Sequence, residues 1–285
     1  MRVELTLAEI RRAVRAALEE DVGSGDVTTL ATVPKAAQSG ALMNAREPLV
    51  VAGLRFAETA FRELSSGIKI ERSTRDGTRV RAGERLLKIS GPSRAILSAE
   101  RVALNFVQHL SGVATATAQF VDAVKDSGAK ILDTRKTTPG WRRFEKYAVA
   151  CGGGQNHRLG LFDVVLIKDN HLAALRGEKP NAIAAAVARA RQQAPQLKVE
   201  VEADNLEQAG QAADAGADII LLDNMAPARL RLAVEIVAGR ALTEASGGVN
   251  LQTVGAIAAT GVDFISVGAI THSARAVDIG LDFET

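Results

Sequence analysis

Strand-like and helix-like segments alternate over the second half of this 285-residue chain, and this alternation limits the possible folds more than any other feature. Strand candidates begin near Ile131, Val164, Val199, Ile219, Leu242 and Val262. Helix candidates follow at 182–193, 206–215, 227–237 and 251–259. Repeated strand–helix units predict a parallel sheet, either open or closed into a barrel.

A closed or nearly closed sheet is the better prediction. No Rossmann G-x-G-x-x-G or Walker pattern follows any of these strands, which disfavours an open nucleotide-binding sheet. A complete TIM barrel has more strands than are visible here. We therefore predict an incomplete, irregular TIM-like α/β barrel.

The first hundred residues have a different pattern. Residues Thr6 to Glu9 form a capping box, which predicts a helix that ends near Asp21. The glycine-containing segment 20–29 predicts a turn, while β-like runs at 41–45, 68–71 and 85–89 surround a helix candidate at 54–64. This mixture predicts a small α+β domain. A long amphipathic stretch from Ser98, interrupted at Ser111-Gly112, would connect it to the barrel.

Composition excludes several classes of protein. A net charge of +2 and an aromatic content of 4% argue against nucleic-acid binding. No long apolar run suggests a signal peptide or a membrane span, so we expect neither. Cys151 is the only cysteine, and this favours a reducing compartment such as the cytoplasm.

Potential cations are concentrated at the ends of predicted strands and beside glycines. Arg135 and Lys136 follow the first strand, His157 and Arg158 follow Gly152 to Gly154, and Lys168 closes the second strand. Functional groups of barrels stand at the carboxyl ends of strands. These side chains therefore predict a pocket for a small molecule that carries several negative charges.

Acidic and glycine residues at the later strand ends extend this prediction. Glu202 and Asp223 are a candidate Mg²⁺ pair, because this ion is often held by one or two carboxylates together with substrate phosphates. Ser246-Gly247-Gly248 and Gly268 are a candidate phosphate site, aided by the helix N-termini that we expect after them.

Other chemistries stay open at this point. Lys136 or Lys168 could form a Schiff base, as in a metal-independent, aldolase-like enzyme. His157 and His171 could suggest zinc, but no third ligand lies at a recognisable spacing. A non-catalytic anion-binding module would use the same cations, although the nearby acids favour an enzyme.

Ten ordered motifs resemble the quinolinate phosphoribosyltransferase family over nearly the whole chain. They include EDVGSGDVTT (20–29), ERVALNFVQHLSGVAT (100–115), DTRKTTPG (133–140), GGGQNHRLGL (152–161), LIKDNH (166–171), IILLDN (219–224), EASGG (244–248) and SVGAITHS (266–273). The resemblance implies a glycosyltransferase of NAD biosynthesis. It would convert quinolinate and phosphoribosyl pyrophosphate (PRPP) into nicotinate mononucleotide, pyrophosphate and CO₂. A related transferase for another heterocyclic acid would keep many of these motifs.

The resemblance also implies an architecture and an assembly. An α/β sandwich would cover residues 1–110, the barrel 111–270, and a C-terminal tail, 271–285, would return to the sandwich. Members work as homodimers or as assemblies of dimers, in which the N-terminal domain of one subunit covers the barrel of the other.

Site residues are carried over motif by motif. Substrate-binding roles are implied for Arg101, Thr134, Arg135, Lys136, His157, Arg158, Lys168, Glu202 and Asp223. Of these, Lys136, Glu202 and Asp223 would be catalytic, the two acids would hold Mg²⁺, and Arg101 would come from the partner subunit. The 5′-phosphate would bind Ser246, Gly247, Gly248, Gly268 and His272.

Overall fold

The computed structural model describes residues 3–284, which form two compact units. One contains residues 3–118, 143–153 and 274–284, and the other contains 119–142 and 154–273. No described helix is both long and apolar enough to cross a lipid bilayer. The predicted domain boundaries at 110/111 and 270/271 stay a prediction.

The first unit is built around a four-stranded antiparallel sheet. Its strands, in spatial order, are β12 (Ile279–Phe283), β1 (Gln38–Ala45), β5 (Arg85–Pro92) and β3 (Lys69–Arg72). A separate pair joins β2 (Leu49–Val50) to β4 (Arg79–Val80). The helices are α1 (Leu7–Val22), α2 (Val27–Thr32), α3 (Leu54–Leu64), α4 (Ser93–Ala123) and α5 (Arg142–Cys151), and the last turn of α4, 119–123, belongs to the second unit. The last strand of the chain thus completes the sheet begun by β1.

The start of the chain corrects one prediction. The capping box is present, since Glu9 N donates to Thr6 Oγ1 at 3.2 Å and Thr6 N donates to Glu9 Oε2 at 2.9 Å. The prediction of a continuous turn over 20–29 is wrong. Helix α1 runs on to Val22, and α2 begins at Val27 because the Asp26 carboxylate caps it by accepting from Thr29 N at 2.9 Å.

The apolar pattern of the long stretch is interrupted at Ser111-Gly112, yet helix α4 is continuous through both residues. A Cβ on Gly112 would lie 2.1 Å from the carbonyl oxygen of Arg275. Ser111 Oγ accepts from Ala52 N at 2.9 Å. Both residues are therefore present for close packing within this unit and not for a break in the helix.

The second unit contains the predicted parallel sheet. In chain order its strands are β6 (Lys130–Leu132), β7 (Val165–Ile167), β8 (Val199–Ala203), β9 (Ile219–Asp223), β10 (Leu242–Ser246) and β11 (Phe264–Ser266). Their spatial order is β6-β11-β10-β9-β8-β7, and all are parallel. The helices are α6 (Asp169–Ala173), α7 (Ala182–Gln193), α8 (Leu206–Asp214), α9 (Pro227–Val237), α10 (Val254–Ala258) and α11 (Ala269–His272).

The sheet is an incomplete barrel. The outermost strands, β6 and β7, are not paired with each other, yet the residues that follow both of them line one cavity. The sheet therefore curls round on itself without closing. The predicted fold class, a small N-terminal α/β sandwich with an irregular TIM-like α/β barrel, is confirmed, and the sheet of the small unit is antiparallel.

Alternation along the strands sends polar side chains into the barrel. In β8, Glu200 and Glu202 lie on one face, while Val199 and Val201 lie on the other, and all four are buried. In β10, Glu244 and Ser246 share a face in the same way. Acids in otherwise apolar strands therefore mark the interior of the barrel as a polar site.

Candidate active site

A cavity of about 480 Å³ lies at the carboxyl ends of the barrel strands. Most of the predicted site residues line it, namely Thr134, Arg135, Lys136, His157, Arg158, Lys168, Glu202, Asp223, Ser246, Gly247 and Gly248. Leu166, Leu221, Asn224, Glu244 and Ser266 also line it. The side chains that follow the predicted strands are thus far apart in the sequence but line one cavity.

Three predicted residues are not in this lining. Gly268 and His272 lie beside it: a Cβ on Gly268 would be 3.1 Å from Lys136 Cδ and 3.2 Å from the His272 ring. Arg101 is an exposed residue of α4, in the first unit.

One cation of the cavity, Arg135, has a buried donor that the protein does not satisfy, whereas Lys168 is paired with Glu202. Arg135 Nε is buried, and no acceptor for it exists among residues 3–284. Burial, and then the nearby Arg135 guanidinium, lower the pKa of Arg158. Lys136 is exposed, with its carbonyl fixed by a 2.8 Å hydrogen bond from Thr271 Oγ1. Such a group of cations is suited to an anionic ligand, which would supply the missing acceptor.

The two candidate metal ligands each have one oxygen held by a neighbour. Lys168 Nζ lies 2.5 Å from Glu202 Oε2, and Asn224 Nδ2 donates to Asp223 Oδ2 at 2.6 Å. The acids stand at the ends of the adjacent strands β8 and β9. This arrangement brings two hard oxygen donors and the Lys168 ammonium group together in the lining of the cavity.

The glycine turn after β10 is packed against Asn224. Gly247 has φ of 94°, and a Cβ there would lie 2.1 Å from Asn224 Oδ1. Asn224 itself has φ of 53°, and its N–H donates to the Ser246 carbonyl at 2.9 Å. Only glycine fits at 247, because both the backbone conformation and the space exclude a side chain.

The predicted help from helix N-termini is not found at this turn. Helix α10 begins only at Val254, several residues after Gly248, so the prediction is wrong for this turn. Helix α11 does begin directly after Gly268, as predicted, but it has only four residues. The polar groups offered here are main-chain and side-chain groups of the turn, together with the exposed His272.

A cluster that includes two residues of the cavity lining, His157 and Glu244, together with Glu200, was missed by the sequence reasoning. His157 Nε2 lies 3.2 Å from Glu200 Oε2, 3.3 Å from Glu200 Oε1 and 3.4 Å from Glu244 Oε2. The side chain of Glu200 is fully buried and that of Glu244 is 1% exposed. The acids in β8 and β10 were a visible signal, but nothing in the sequence connects them with His157.

Two buried acids determine the charge of His157. Burial lowers the pKa of His157, but the interactions with Glu200 and Glu244 outweigh it and raise that pKa. Burial in turn raises the pKa of Glu200. The main-chain nitrogen of Arg158 lies 2.7 Å from His157 Nδ1.

Comparisons with known proteins cover both units. The sequence profile described as "Quinolinate phosphoribosyl transferase, C-terminal domain" matches residues 113–282, and that of the N-terminal domain matches 26–111. The chain is 45% identical to a "Nicotinate-nucleotide pyrophosphorylase [carboxylating]" of Mycobacterium leprae over 278 residues, 95% of this chain and 96% of that one. It is 42% identical over 293 residues to a "Quinolinate phosphoribosyltransferase [decarboxylating] 2b, mitochondrial" of Nicotiana tabacum, with 97% and 83% covered.

A solved structure gives the same result in three dimensions. The nicotinate-nucleotide pyrophosphorylase from Francisella tularensis superimposes with a TM-score of 0.94. That comparison covers 100% of this chain and 99% of the other, at 40% sequence identity.

Proposed function

Because the chain belongs to the quinolinate phosphoribosyltransferase family, we propose that it transfers the phosphoribosyl group of PRPP to the ring nitrogen of quinolinate. Loss of CO₂ would then give nicotinate mononucleotide, with pyrophosphate as the other product. The reaction would serve NAD biosynthesis.

The chemistry of the cavity carries this proposal. Arg135, Lys136, Arg158 and Lys168 line it together, and the Arg135 Nε donor has no acceptor in the described chain. Quinolinate brings two adjacent carboxylates, and PRPP brings a phosphate and a pyrophosphate. Arginine can bind a carboxylate in a bidentate manner, which would fix the orientation of the pyridine ring.

Bond formation needs no protein nucleophile. The quinolinate nitrogen attacks C1 of the ribose while the bond from C1 to pyrophosphate breaks, through a centre with oxocarbenium character. Glu202 and Asp223 favour the developing positive charge, while Lys136 and the neighbouring cations favour the departing pyrophosphate. Once the ring nitrogen is quaternary, the bond to the 2-carboxylate breaks, its electron pair stays on the ring carbon, and that carbon takes up a proton.

The two acids also fit a divalent cation. One oxygen of each is held, Glu202 by Lys168 and Asp223 by Asn224, which leaves the second oxygen of each side chain to serve as a ligand. Two carboxylates do not fill the coordination shell of Mg²⁺. They suit an ion whose other ligands are waters and substrate phosphates. Bound there, the ion would neutralise pyrophosphate charge. We expect a chelator to abolish activity and added Mg²⁺ to restore it.

The 5′-phosphate would bind at the glycine turns. Support comes from the close packing of Gly247 on Asn224 and from the approach of Gly268 to Lys136 and His272. Thr134 Oγ1 accepts from Lys136 N at 3.0 Å and so helps to shape the same edge of the cavity.

An assembly of two subunits is part of the proposal. Arg101 would enter the site of the partner subunit, as the family resemblance implies, and the exposure of this residue on α4 is compatible with that role. A cytoplasmic location is proposed on the lone cysteine and on the reaction.

The test is incubation with PRPP, Mg²⁺ and a panel of pyridine carboxylates. The proposal is supported if quinolinate is converted to nicotinate mononucleotide and the other pyridine carboxylates are not converted. Turnover of a different heterocyclic acid would instead support the related-transferase alternative, and binding without release of pyrophosphate would support an anion-binding module.

The aldolase-like alternative is less well supported. Lys168 is paired with Glu202 and thus has a counter-ion, whereas lysines that form Schiff bases are activated by apolar or cationic surroundings. Borohydride trapping of substrate on the protein would revive that alternative.

A further inference from the structure

Two segments of the barrel that run side by side carry Arg135 and Arg158. Gln155 N donates to the Ile131 carbonyl at 2.9 Å, and Asp133 N donates to the Gln155 carbonyl at 3.1 Å. In residues 3–284 these bonds form an isolated bridge between parallel chains, which ends before either arginine. Beyond the bridge, side chains hold the two segments together.

The side chain of Asp133 provides the first link beyond the bridge. Its Oδ1 accepts from His157 N at 2.8 Å, and its Oδ2 accepts from Asn156 Nδ2 at 2.7 Å. Asp133 is fully buried. This link comes before both arginines in the chain direction, so it does not limit the separation of the residues that follow it.

The guanidinium of Arg142 provides the second link, on the far side of Arg158. Its Nη1 donates to the Leu159 carbonyl at 3.1 Å, and its Nη2 donates to the Arg135 carbonyl at 3.5 Å. Its Nε donates to Thr137 Oγ1 at 3.1 Å. Arginine can make these contacts at once because its five donors form a rigid planar fork. Arg142 does not line the cavity, so it can act on a ligand there only through other residues.

The two linked arginines repel each other in the ligand-free protein. Burial, and then the charge of Arg135, lowers the pKa of Arg158, so the two guanidinium groups are close enough to interact. Arg135 Nε is also buried without an acceptor among residues 3–284. Repulsion and the unmet hydrogen bond both favour separation of the segments. A link that spans the segments opposes this separation and keeps the cations preorganised for a ligand with two negative charges.

We propose that Arg142 is a positioning residue that sets the spacing of Arg135 and Arg158 for two adjacent carboxylates of one ligand. This inference rests on the proposed function, because it takes that ligand to be quinolinate. The three acceptors of Arg142 are two main-chain carbonyls and a hydroxyl, so its donors fix geometry and do not neutralise an acid. A residue that only supports the fold would affect every ligand of the cavity, whereas a spacing residue affects ligands that engage both arginines.

The test compares a dicarboxylate with a monocarboxylate in Arg142→Met, which removes the donors and keeps an unbranched side chain. Binding of quinolinate and of nicotinate (pyridine-3-carboxylate) is measured by calorimetry without PRPP. Loss of hydrogen bonds from a charged donor predicts a quinolinate affinity about tenfold to hundredfold lower. Nicotinate has one carboxylate and does not need the spacing of two arginines, so its affinity should change much less. The KM for PRPP should also change little.

Arg240→Met is the matched control. Arg240 likewise donates to main-chain carbonyls, those of Val237 at 3.1 Å and Ile236 at 2.6 Å. It lies just before β10, at the opposite end of that strand from the cavity. Loss of this side chain should lower thermal stability without changing the affinity for quinolinate.

Hydrogen exchange gives a readout that needs no ligand. In Arg142→Met the amides of 134–141 and 156–162 should exchange faster, while those of the other barrel strands should be unchanged. Faster exchange throughout the barrel would show that Arg142 only supports the fold, and would overturn the proposal.

A milder pair of variants covers the case in which Arg142→Met does not fold. The Thr137 hydroxyl lies between Arg142 Nε and the Arg135 carbonyl, at 3.1 and 3.4 Å. Thr137→Val removes this hydroxyl and keeps the branched shape, whereas Thr137→Ser keeps the hydroxyl. We expect quinolinate binding to be about threefold to tenfold weaker in the valine variant and close to wild type in the serine variant.

The outcomes separate this inference from the proposed function. Equal losses for quinolinate and nicotinate in Arg142→Met, or an unchanged quinolinate affinity, would contradict the spacing role and leave the reaction intact. Equal affinities in the two Thr137 variants would contradict it as well. Absence of turnover by wild-type protein would contradict the reaction, while calorimetry would still compare the two carboxylates.

Discussion

Substitution of alanine at Gly247 and at Gly248 should have different consequences, although the two glycines are adjacent. Both have positive φ, 94° and 60°, and an L-residue in such a conformation costs about 1–2 kcal/mol. A Cβ at Gly248 meets nothing within 4 Å. At Gly247 it would lie 2.1 Å from Asn224 Oδ1, 2.5 Å from Asn224 Cγ and 2.9 Å from Asn224 N.

The collision adds a second cost at Gly247. Forcing an extra carbon into a packed site typically costs about 1–3 kcal/mol. We therefore expect Gly248→Ala to destabilise the barrel by about 1–2 kcal/mol and Gly247→Ala by about 2–5 kcal/mol. Because Asn224 donates to Asp223, its displacement should also raise the KM for PRPP more in Gly247→Ala than in the control.

Thermal unfolding and PRPP kinetics of both variants are the assays. Asn224→Gly removes the colliding side chain and tolerates φ of 53°, so it should recover part of the stability lost in Gly247→Ala. Equal stability and equal PRPP kinetics for the two alanine variants would show that a Cβ at position 247 does not collide with Asn224.

Three further predictions concern the site, the assembly and the first unit. Arg158→Ala should weaken quinolinate binding by roughly 10-fold to 100-fold in calorimetry, because a hydrogen bond to a charged group is lost; unchanged affinity would remove Arg158 from the pocket. Arg101→Ala and Glu202→Gln should each be inactive, yet mixing them should restore some activity through mixed dimers; no recovery would count against a shared site. The Thr6 main-chain and hydroxyl groups, with Arg143, lower the pKa of Glu9 from 4.5 to about 2. The stability contributed by Glu9 should therefore be present above pH 4.5 and disappear as the pH falls toward 2, so urea unfolding of Glu9→Gln should converge with wild type in acid.

Local signals in the sequence predict those elements that local chemistry determines. Helices α3, α7 and α9 begin and end as predicted, and Asn181 and Pro227 provide visible starts for two of them. The strand ends could be combined into one site because parallel strands bring their carboxyl ends to the same edge. That geometric rule, applied to Arg135, Lys168 and Asp223, explains why residues far apart in sequence were predicted together.

Long-range packing explains what could not be predicted. Gly112 has the local appearance of a helix breaker, but its purpose depends on Arg275, far along the chain. Glu200 and Glu244 have the same alternation as Glu202 and Ser246, and only the folded barrel shows that they meet His157. Helix α2 was missed because the glycines before Asp26 concealed a capped start.

The proposed reaction is tested most directly by the origin and the stoichiometry of the released CO₂. Quinolinate labelled with ¹³C in the 2-carboxylate should be incubated with the protein, PRPP and Mg²⁺. The account predicts one labelled CO₂ and one pyrophosphate for each nicotinate mononucleotide, with no label left in the nucleotide. Pyrophosphate release without labelled CO₂, or neither product, would contradict it.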